Sequence, residues 1–347
     1  MNNDNKKIVV GFSGGVDSAS AVRILREQGF EQVAVFLKMF ADQDLRKIER
    51  LADKIGVELI VRDISDIFKG CVIKGFLDEY KKNRTPNPCV RCNTEIKFKT
   101  LLEVAREVGA EKVATGHYAR VQKNGEIFEL LKGIDEKKDQ SYFLYRLTQE
   151  KLSRIVLPLG DKNKKEIKKA ALEAGWFEKI EESQDVCFLD KEKKVQDFLK
   201  KNLDSDKNQP GKIEDEEGNV LGEHQGLAYY TQGQRKGLDL AGGPFYVIEK
   251  DLKRNVLLVT KNKDHQSLTN DKIFIEDVSW AGEEPVEEET YQFKSRYRSS
   301  LVPGKFKKIA DGWAVDLEKP QWAVAVGQSL VAYDGDKVVG GGVIVKS

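Results

Sequence analysis

Ile8-Val9-Val10-Gly11-Phe12-Ser13-Gly14-Gly15-Val16-Asp17-Ser18 is the stretch whose reading decides the fold. An apolar run of strand length passes through glycines into a segment from Ser18 to Gln28 with Ala21, Val22 and Leu25 on one side. A buried strand that turns through glycines into a helix is the opening unit of an α/β sheet. The glycines let backbone amides approach an anion, and a helix start adds partial positive charge. Ser13 and Ser18 add hydroxyl donors for phosphate oxygens. No Gly-Lys-Ser/Thr follows, so this is not a Walker A loop, and Gly-x-Gly-x-x-Gly is absent as well.

The pattern continues outward from this loop. Val33 to Leu37 and Glu58 to Arg62 read as further strands, and Leu45, Ile48, Leu51, Ala52 and Ile55 form a helical stripe. A helix is expected from Ile64 to about Lys82, ended by Pro86-Asn87-Pro88 because proline removes a donor and restrains its neighbour. A helix from Asn93 to Val108 and a strand from Lys112 to Thr115 complete the run. The alternation implies a doubly wound parallel sheet with helices on both faces. From about residue 200 the texture changes. A mixed segment containing His224 to Gly243 gives way, beyond about residue 255, to short alternating strands separated by Gly, Asp and Pro. Those strands suggest a small β-barrel or sandwich.

Composition narrows the function classes. The chain has 347 residues, room for two or three domains, and its 40% hydrophobic and 33% charged content is that of a globular protein. Its apolar runs are far shorter than the ~20 residues a bilayer span needs. Met1 to Lys7 leads straight into a strand with no apolar signal core, which gives the expectation of a cytoplasmic protein without a membrane partner. The net charge is only +1, but basic residues cluster at Lys81 to Arg84, Lys162 to Lys169, Gln234 to Lys236 and Lys294 to Arg298. Glu283 to Glu289 offsets them. Most such runs are solvated faces, whereas several on one surface would bind phosphates.

The four cysteines are Cys71, Cys89, Cys92 and Cys187. In a reducing compartment thiols are catalytic, metal-binding or buried more often than structurally bridged. Thr85-Pro86-Asn87-Pro88-Cys89-Val90-Arg91-Cys92-Asn93 places two thiols three residues apart after a rigid turn. With a helix beginning near Cys92, its thiol pKa would be lowered, making it the candidate nucleophile. Cys187, in Ser183-Gln184-Asp185-Val186-Cys187-Phe188-Leu189, is remote in sequence yet able to lie opposite. Cys71, beside Val72 and Ile73, reads as core.

The string Ser13 to Ser18 resembles the PP-loop of the ATP pyrophosphatase superfamily, whose members cut ATP between the α and β phosphates and activate an oxygen as an adenylate. Together with the cysteine segments the chain resembles, over almost its whole length, the tRNA-specific 2-thiouridylase family. Further stretches that carry the resemblance are Asn93 to Phe98, Ala114-Thr115-Gly116-His117-Tyr118-Ala119-Arg120, Lys138 to Leu144, His224 to Leu227, Tyr230 to Gly237, Arg296-Tyr297-Arg298 and Gly327-Gln328-Ser329. The resemblance implies a PP-loop domain over residues 1–203, a small central tRNA-binding domain over 204–263 and a C-terminal β-barrel over 264–347. It implies that Gly11, Phe12, Ser13, Gly14, Gly15, Val16, Asp17 and Ser18 hold ATP, with Mg2+, and that Leu37 and Gly116 lie beside the adenosine. Cys187 would carry a persulfide received from a cysteine desulfurase or sulfur-relay protein. Cys92 would attack or resolve that persulfide, pairing with Cys187 as a disulfide during turnover. Asn87, Pro88 and Cys89 would line the target-base pocket. His117, Lys138, Asp139, Gln140, Arg296, Tyr297 and Gln328 would contact tRNA, the substrates being wobble-uridine tRNAs for Glu, Gln and Lys. A base taken out of its stack needs planar partners and backbone clamps, which such residues supply.

One position departs from the family: many members carry aspartate where this chain has Cys89. Three thiols then suit a [4Fe-4S] cluster on Cys89, Cys92 and Cys187 with one open iron as an alternative sulfur carrier. They suit a closed zinc site less well, since that takes a fourth ligand. Two rival functions stand beside thiolation. A ligase or amidotransferase of the same superfamily would use the loop without needing Cys92 and Cys187. A non-catalytic RNA-binding protein would not need Ser13, Asp17 and Ser18 intact.

Overall fold

The computed structural model describes residues 6–40, 43–180, 187–188, 195–203, 208–310 and 312–346. The first sheet is built from β1 (Lys7–Gly11), β2 (Glu31–Lys38), β3 (Glu58–Asp63), β4 (Lys112–Ala114) and the short β7 (Ile155–Val156), in the order β3-β2-β1-β4-β7. All four pairings are parallel, with Val9 opposite Val33 on one side and Val113 on the other. Parallel strands are covered on both faces, so they read as continuous apolar runs, and Ile8, Val9, Val10, Val33, Ala34 and Val35 are all buried. The strand order reverses across β1, so the crevice at its carboxyl end is the place where open α/β sheets take ligands.

Helix α1 (Val16–Glu27) buries Ala19, Ala21, Val22 and Leu25 against the sheet. Helix α2 (Leu45–Ile55) begins at Asp44, whose carboxylate accepts from Arg46 N, and ends at Gly56 in the left-handed region at φ 71°. The helix expected from Ile64 to Lys82 is present as Ser65–Phe68, Lys69–Ile73 and Lys74–Lys81, the middle piece widened into a π-turn. The next helix does not begin at Asn93. It begins at Pro88, with Asn87 as its cap residue, and runs through Pro88–Arg91, a π-segment Cys92–Lys97, and Phe98–Glu107. Proline is pre-organised for the first helical position, where a missing N–H costs nothing, so the turn that ends one helix starts the next.

A hairpin follows that the strand patterns did not announce: β5 (Ala119–Asn124) and β6 (Ile127–Lys132). It leaves the α/β domain and joins the C-terminal sheet through β6 and the strand Lys337–Val345. That sheet closes on itself. Strands Thr269–Trp280, Gly312–Trp322, Val302–Ile309, Thr290–Lys294, Ser329–Asp334 and Lys337–Val345 pair in sequence, and the last pairs back onto the first. The result is a six-stranded antiparallel barrel filled by residues such as Phe293, Phe306 and Trp313. A four-stranded central sheet lies between the two domains in sequence, with Gly211–Glu214 and Val220–His224 beside Val256–Thr260 and Tyr246–Asp251. The expectation of an α/β domain, a small central domain and a C-terminal barrel therefore holds. Among the described residues no helix is long and apolar enough to cross a membrane.

Candidate functional site

The glycine loop sits where β1 meets α1. Phe12 is buried and its N–H is bonded to Val35 O at 2.8 Å. Gly14 takes φ 77°, and a side chain there would run into Ile48. The Ser18 hydroxyl accepts from Ser13 N at 3.2 Å and donates to Gly15 O at 2.9 Å, and the Ser13 hydroxyl lies 3.3 Å from it. Gly15 caps α1 without a side-chain acceptor, so the first amides of a three-turn helix are left for an incoming anion. Leu37 and Gly116 stand just beyond or at the carboxyl ends of β2 and β4, on either side of this loop. Gly116 has no room for a side chain: an added Cβ would lie 2.8 Å from the carbonyl carbon of Asp17. The eight loop residues, Leu37 and Gly116 thus gather at the carboxyl edge of the first sheet.

Two residues of this edge escaped the sequence reading. Lys164, at the start of a helix Lys164–Glu173, donates to both carboxylate oxygens of Asp17, and its ammonium lies 5.4 Å from the Tyr118 ring. Tyr118 donates its hydroxyl to Asp17 Oδ1 at 2.9 Å. Burial, and then Asp17, push the Tyr118 hydroxyl well above the ordinary tyrosine range, so it remains a donor. The basic run Lys162 to Lys169 was visible in the sequence, but nothing in it marked one lysine as facing a loop almost 150 residues away.

Pro88 and Cys89 occupy the first two positions of the helix that carries the thiols. Cys92 lies one turn further in, and its amide already donates to Pro88 O and Cys89 O. The expectation of a lowered Cys92 pKa is therefore overturned. The open helix end belongs to Cys89 and its neighbours, Cys92 is buried, and burial pushes its thiol up, with Lys97 opposing that shift. Cys92 and Lys97 bracket a π-segment. Its wider turn of about 4.4 residues brings side chains five apart closer to one face than an α-helix does.

Of the segment Ser183 to Leu189, only Cys187 and Phe188 are among the described residues. Phe188 is wedged among Phe68, Phe76 and Phe198, at ring distances of 6.2, 5.1 and 5.3 Å. That anchor brings Cys187 to the helix of Cys89 and Cys92. The residue is exposed, yet its thiol is hemmed in: burial, then Cys92 and Cys89, push it up to about 12. Cys187, remote in sequence, is thus a neighbour of Cys89 and Cys92, and all four cysteines are free. Among the described residues no group of three or more His, Cys, Asp or Glu side chains is placed to hold a metal ion. Cys71 is half-buried rather than fully in the core, and its thiol donates to Glu95 Oε2 at 2.9 Å.

The residues expected at tRNA fall into two groups. Arg296 is exposed, with its guanidinium 5.6 Å from the Trp322 ring, and Tyr297 packs on Phe143 at 4.5 Å just past the end of strand Thr290–Lys294. The others are bound up in the fold. His117 is bonded through Nδ1 to Thr115 Oγ1 at 2.7 Å and stacks on Phe98. Burial holds its imidazole well below the usual histidine pKa, so it is neutral near pH 7. Asp139 is buried and accepts from Gly133 N at 3.0 Å and Ser141 N at 3.1 Å. Gln140 accepts from Tyr118 N at 3.0 Å, and the Lys138 amide donates to Asp135 O at 2.8 Å. Asn87 bonds through its side chain to the Tyr142 hydroxyl. Gln328 donates to the carbonyls of Thr85 and Pro86.

Family models match three consecutive segments: a tRNA methyl transferase HUP domain over residues 6–191, a tRNA methyl transferase PRC-barrel domain over 196–261 and an aminomethyltransferase β-barrel domain over 270–344. The chain is 42% identical to the tRNA-specific 2-thiouridylase MnmA of Methylobacillus flagellatus, covering 99% of each chain. It is 44% identical to the protein of that name from Cupriavidus metallidurans, over 98% of this chain and 99% of that one. The corresponding protein of Delftia acidovorans is 41% identical over 97% of both.

Proposed function

We propose, from the premise that this chain belongs to the tRNA-specific 2-thiouridylase family, that it replaces the C2 oxygen of the wobble uridine with sulfur in two steps served by two separate sites. The enzyme is an ATP-dependent tRNA sulfurtransferase. The convergence of Cys187 on Cys92, from segments 95 residues apart, is the observation that carries the mechanism.

In the first step the uridine O2 bonds to the α-phosphorus of ATP, and the bond to the bridging oxygen breaks to release pyrophosphate. Amides of the α1 terminus and the Ser13 and Ser18 hydroxyls would hold the phosphates, Mg2+ when bound would neutralise their charge, and Asp17 is kept in place by Lys164 and Tyr118. In the second step the terminal sulfur of a Cys187 persulfide bonds to C2, and AMP leaves with the former O2. The Cys92 thiolate then bonds to Cys187 Sγ, breaking the bond to the base sulfur. The base keeps that sulfur as 2-thiouridine, and the electron pair of the broken bond stays with it. Cys92 and Cys187 end as a disulfide, which an external thiol reduces, and a desulfurase or relay protein reloads Cys187. Burial favours the protonated Cys92 thiol, so Cys92 must give up its proton before it bonds to Cys187 Sγ.

Asn87, Pro88 and Cys89 would face the base, with Arg296, Tyr297 and the His117 and Lys138–Gln140 turns on the RNA side. The working division is 1–203, 204–263 and 264–347, in a cytoplasmic enzyme acting on the Glu, Gln and Lys tRNAs. Nucleoside analysis of tRNA from cells lacking the gene tests the reading: 2-thiouridine should vanish and return with the wild-type gene. Purified enzyme should release pyrophosphate and AMP with tRNA present, and release of ADP would rule the mechanism out.

A further inference from the structure

Asn83 to Asn87 leads into the helix of Cys89 and Cys92 and belongs to no regular element. Its backbone is short of donors, since Pro86 and the following Pro88 have no N–H, while every residue carries a carbonyl to satisfy. The carbonyls of Thr85 and Pro86 are both taken by one group, the side-chain amide nitrogen of Gln328, at 2.9 and 3.2 Å. Thr85 N donates to Val326 O at 2.8 Å. Between these two contacts Gly327 takes φ 94°, and a side chain on it would come within 3.0 Å of Thr85 N and Arg84 Cβ. One residue further on, Ser329 O accepts from the Tyr142 hydroxyl at 2.8 Å, the same hydroxyl that Asn87 engages.

The gripping loop is itself fixed. Gly327 N donates to Ile344 O at 2.9 Å, and Ile344 N donates to Gln328 O at 2.8 Å, tying it to the last barrel strand. Four consecutive residues of the C-terminal barrel, Val326 to Ser329, therefore hold a turn some 240 positions away. An amide nitrogen has two hydrogens, and both are spent on this turn.

We propose that Gln328 is a positioning residue of the sulfur site: by holding the Thr85 and Pro86 carbonyls it fixes where the helix of Cys89 and Cys92 begins. Its functional weight rests on the thiolation reading above, and it gives the barrel a part in the chemistry. Only the amide oxygen of Gln328 remains for another partner, so a role purely in gripping RNA is the competing account.

The test is peptide-resolved alkylation of Cys92 in the full-length protein without tRNA, with Cys71 as internal reference. Gln328→Ala removes the donors, and Gln328→Glu keeps the shape while replacing the donors with a carboxylate that repels both carbonyls. Loss of the two hydrogen bonds that hold the Thr85 and Pro86 carbonyls should speed Cys92 alkylation about tenfold and leave Cys71 unchanged. Turnover to 2-thiouridine should fall by a similar factor, with tRNA affinity altered less than about twofold. Gln328→Lys, which regains donors, should bring Cys92 protection back toward wild type. Weakened tRNA binding with unchanged Cys92 alkylation would overturn the proposal in favour of RNA contact. A Lys variant as labile as the Ala variant would overturn it as well. Absence of 2-thiouridine from the wild type would count against the thiolation reading instead, because the alkylation result stands without it.

Discussion

The loop Gly11 to Ser18 and the turn Asn83 to Asn87 are both irregular backbone at the heart of the molecule, and they are held in opposite ways. The loop is closed by its own residues: Ser18 bonds to Ser13 and Gly15, and Phe12 to the adjacent strand. The turn bonds back to the preceding helix only at its start, where Asn83 N donates to Tyr80 O and Arg84 N to Glu79 O, and its other contacts come from far away in sequence. Arg84 pairs with Glu276 at 3.1 Å, the Thr85 hydroxyl meets that of Thr231 at 3.0 Å, Asn83 O accepts from Lys250 at 2.7 Å, and Gln328 takes the next two carbonyls. Lys250 spends its charge on backbone carbonyls in a partly buried position, and burial brings its pKa down to about 8. The nucleotide site can thus form once the first sheet forms, whereas the thiol site is complete only when all three domains have docked.

The largest effects should separate the two regions by chemistry. Cys187→Ser and Cys92→Ser should each take 2-thiouridine below detection while tRNA-dependent pyrophosphate release persists, since neither thiol touches the phosphate loop. A variant that loses both activities would break the separation. Cys71→Ser should keep most of the activity, because its thiol bonds to Glu95 outside the cluster.

Asp17→Ala makes the converse change. It strands the Lys164 ammonium and the Tyr118 hydroxyl beside the phosphates. Removing a preorganised group of this kind costs on the order of a hundredfold in the step it serves. Pyrophosphate release should fall by at least about that factor, measured with saturating tRNA, while alkylation of Cys92 and Cys187 stays at the wild-type rate. Altered thiol reactivity in this variant would mean that the two sites are coupled.

The smallest effect concerns pH. With its pKa raised to about 12, the Cys187 thiol is neutral from pH 7 to 9. Its thiolate fraction should then grow about tenfold per pH unit across that range without levelling off. Iodoacetamide rates at Cys187 in the tRNA-free protein check this, and a plateau near pH 7 would mean that the Cys187 thiol is not raised at all.

The contrast also accounts for what could be read without coordinates. The loop was legible because its strand, glycines, serines and helix are contiguous, and local spacing states the whole geometry. The parallel sheet followed from the same alternation, and the barrel from its short strands. The helix start was misplaced by five residues because Pro86-Asn87-Pro88 was taken only as a breaker, although Pro88 is also a favoured first helical residue. That error, together with the burial of Cys92 that no local spacing records, produced the wrong direction for its pKa. Lys164, Tyr118 and the grip of Gln328 on the turn were hidden for another reason. Each acts on a partner between about 100 and 250 residues away, and no periodicity records which end of a lysine run or which glutamine faces inward.

The central claim is that sulfur passes from Cys187 to the base with Cys92 as the resolving thiol. The most direct measurement loads the wild-type enzyme with one equivalent of 35S persulfide on Cys187, then adds ATP and unmodified tRNA for a single turnover. The account predicts that the label appears in 2-thiouridine in step with AMP release, and that one Cys92–Cys187 disulfide forms per labelled base. Label reaching the base while both cysteines remain free thiols would contradict it.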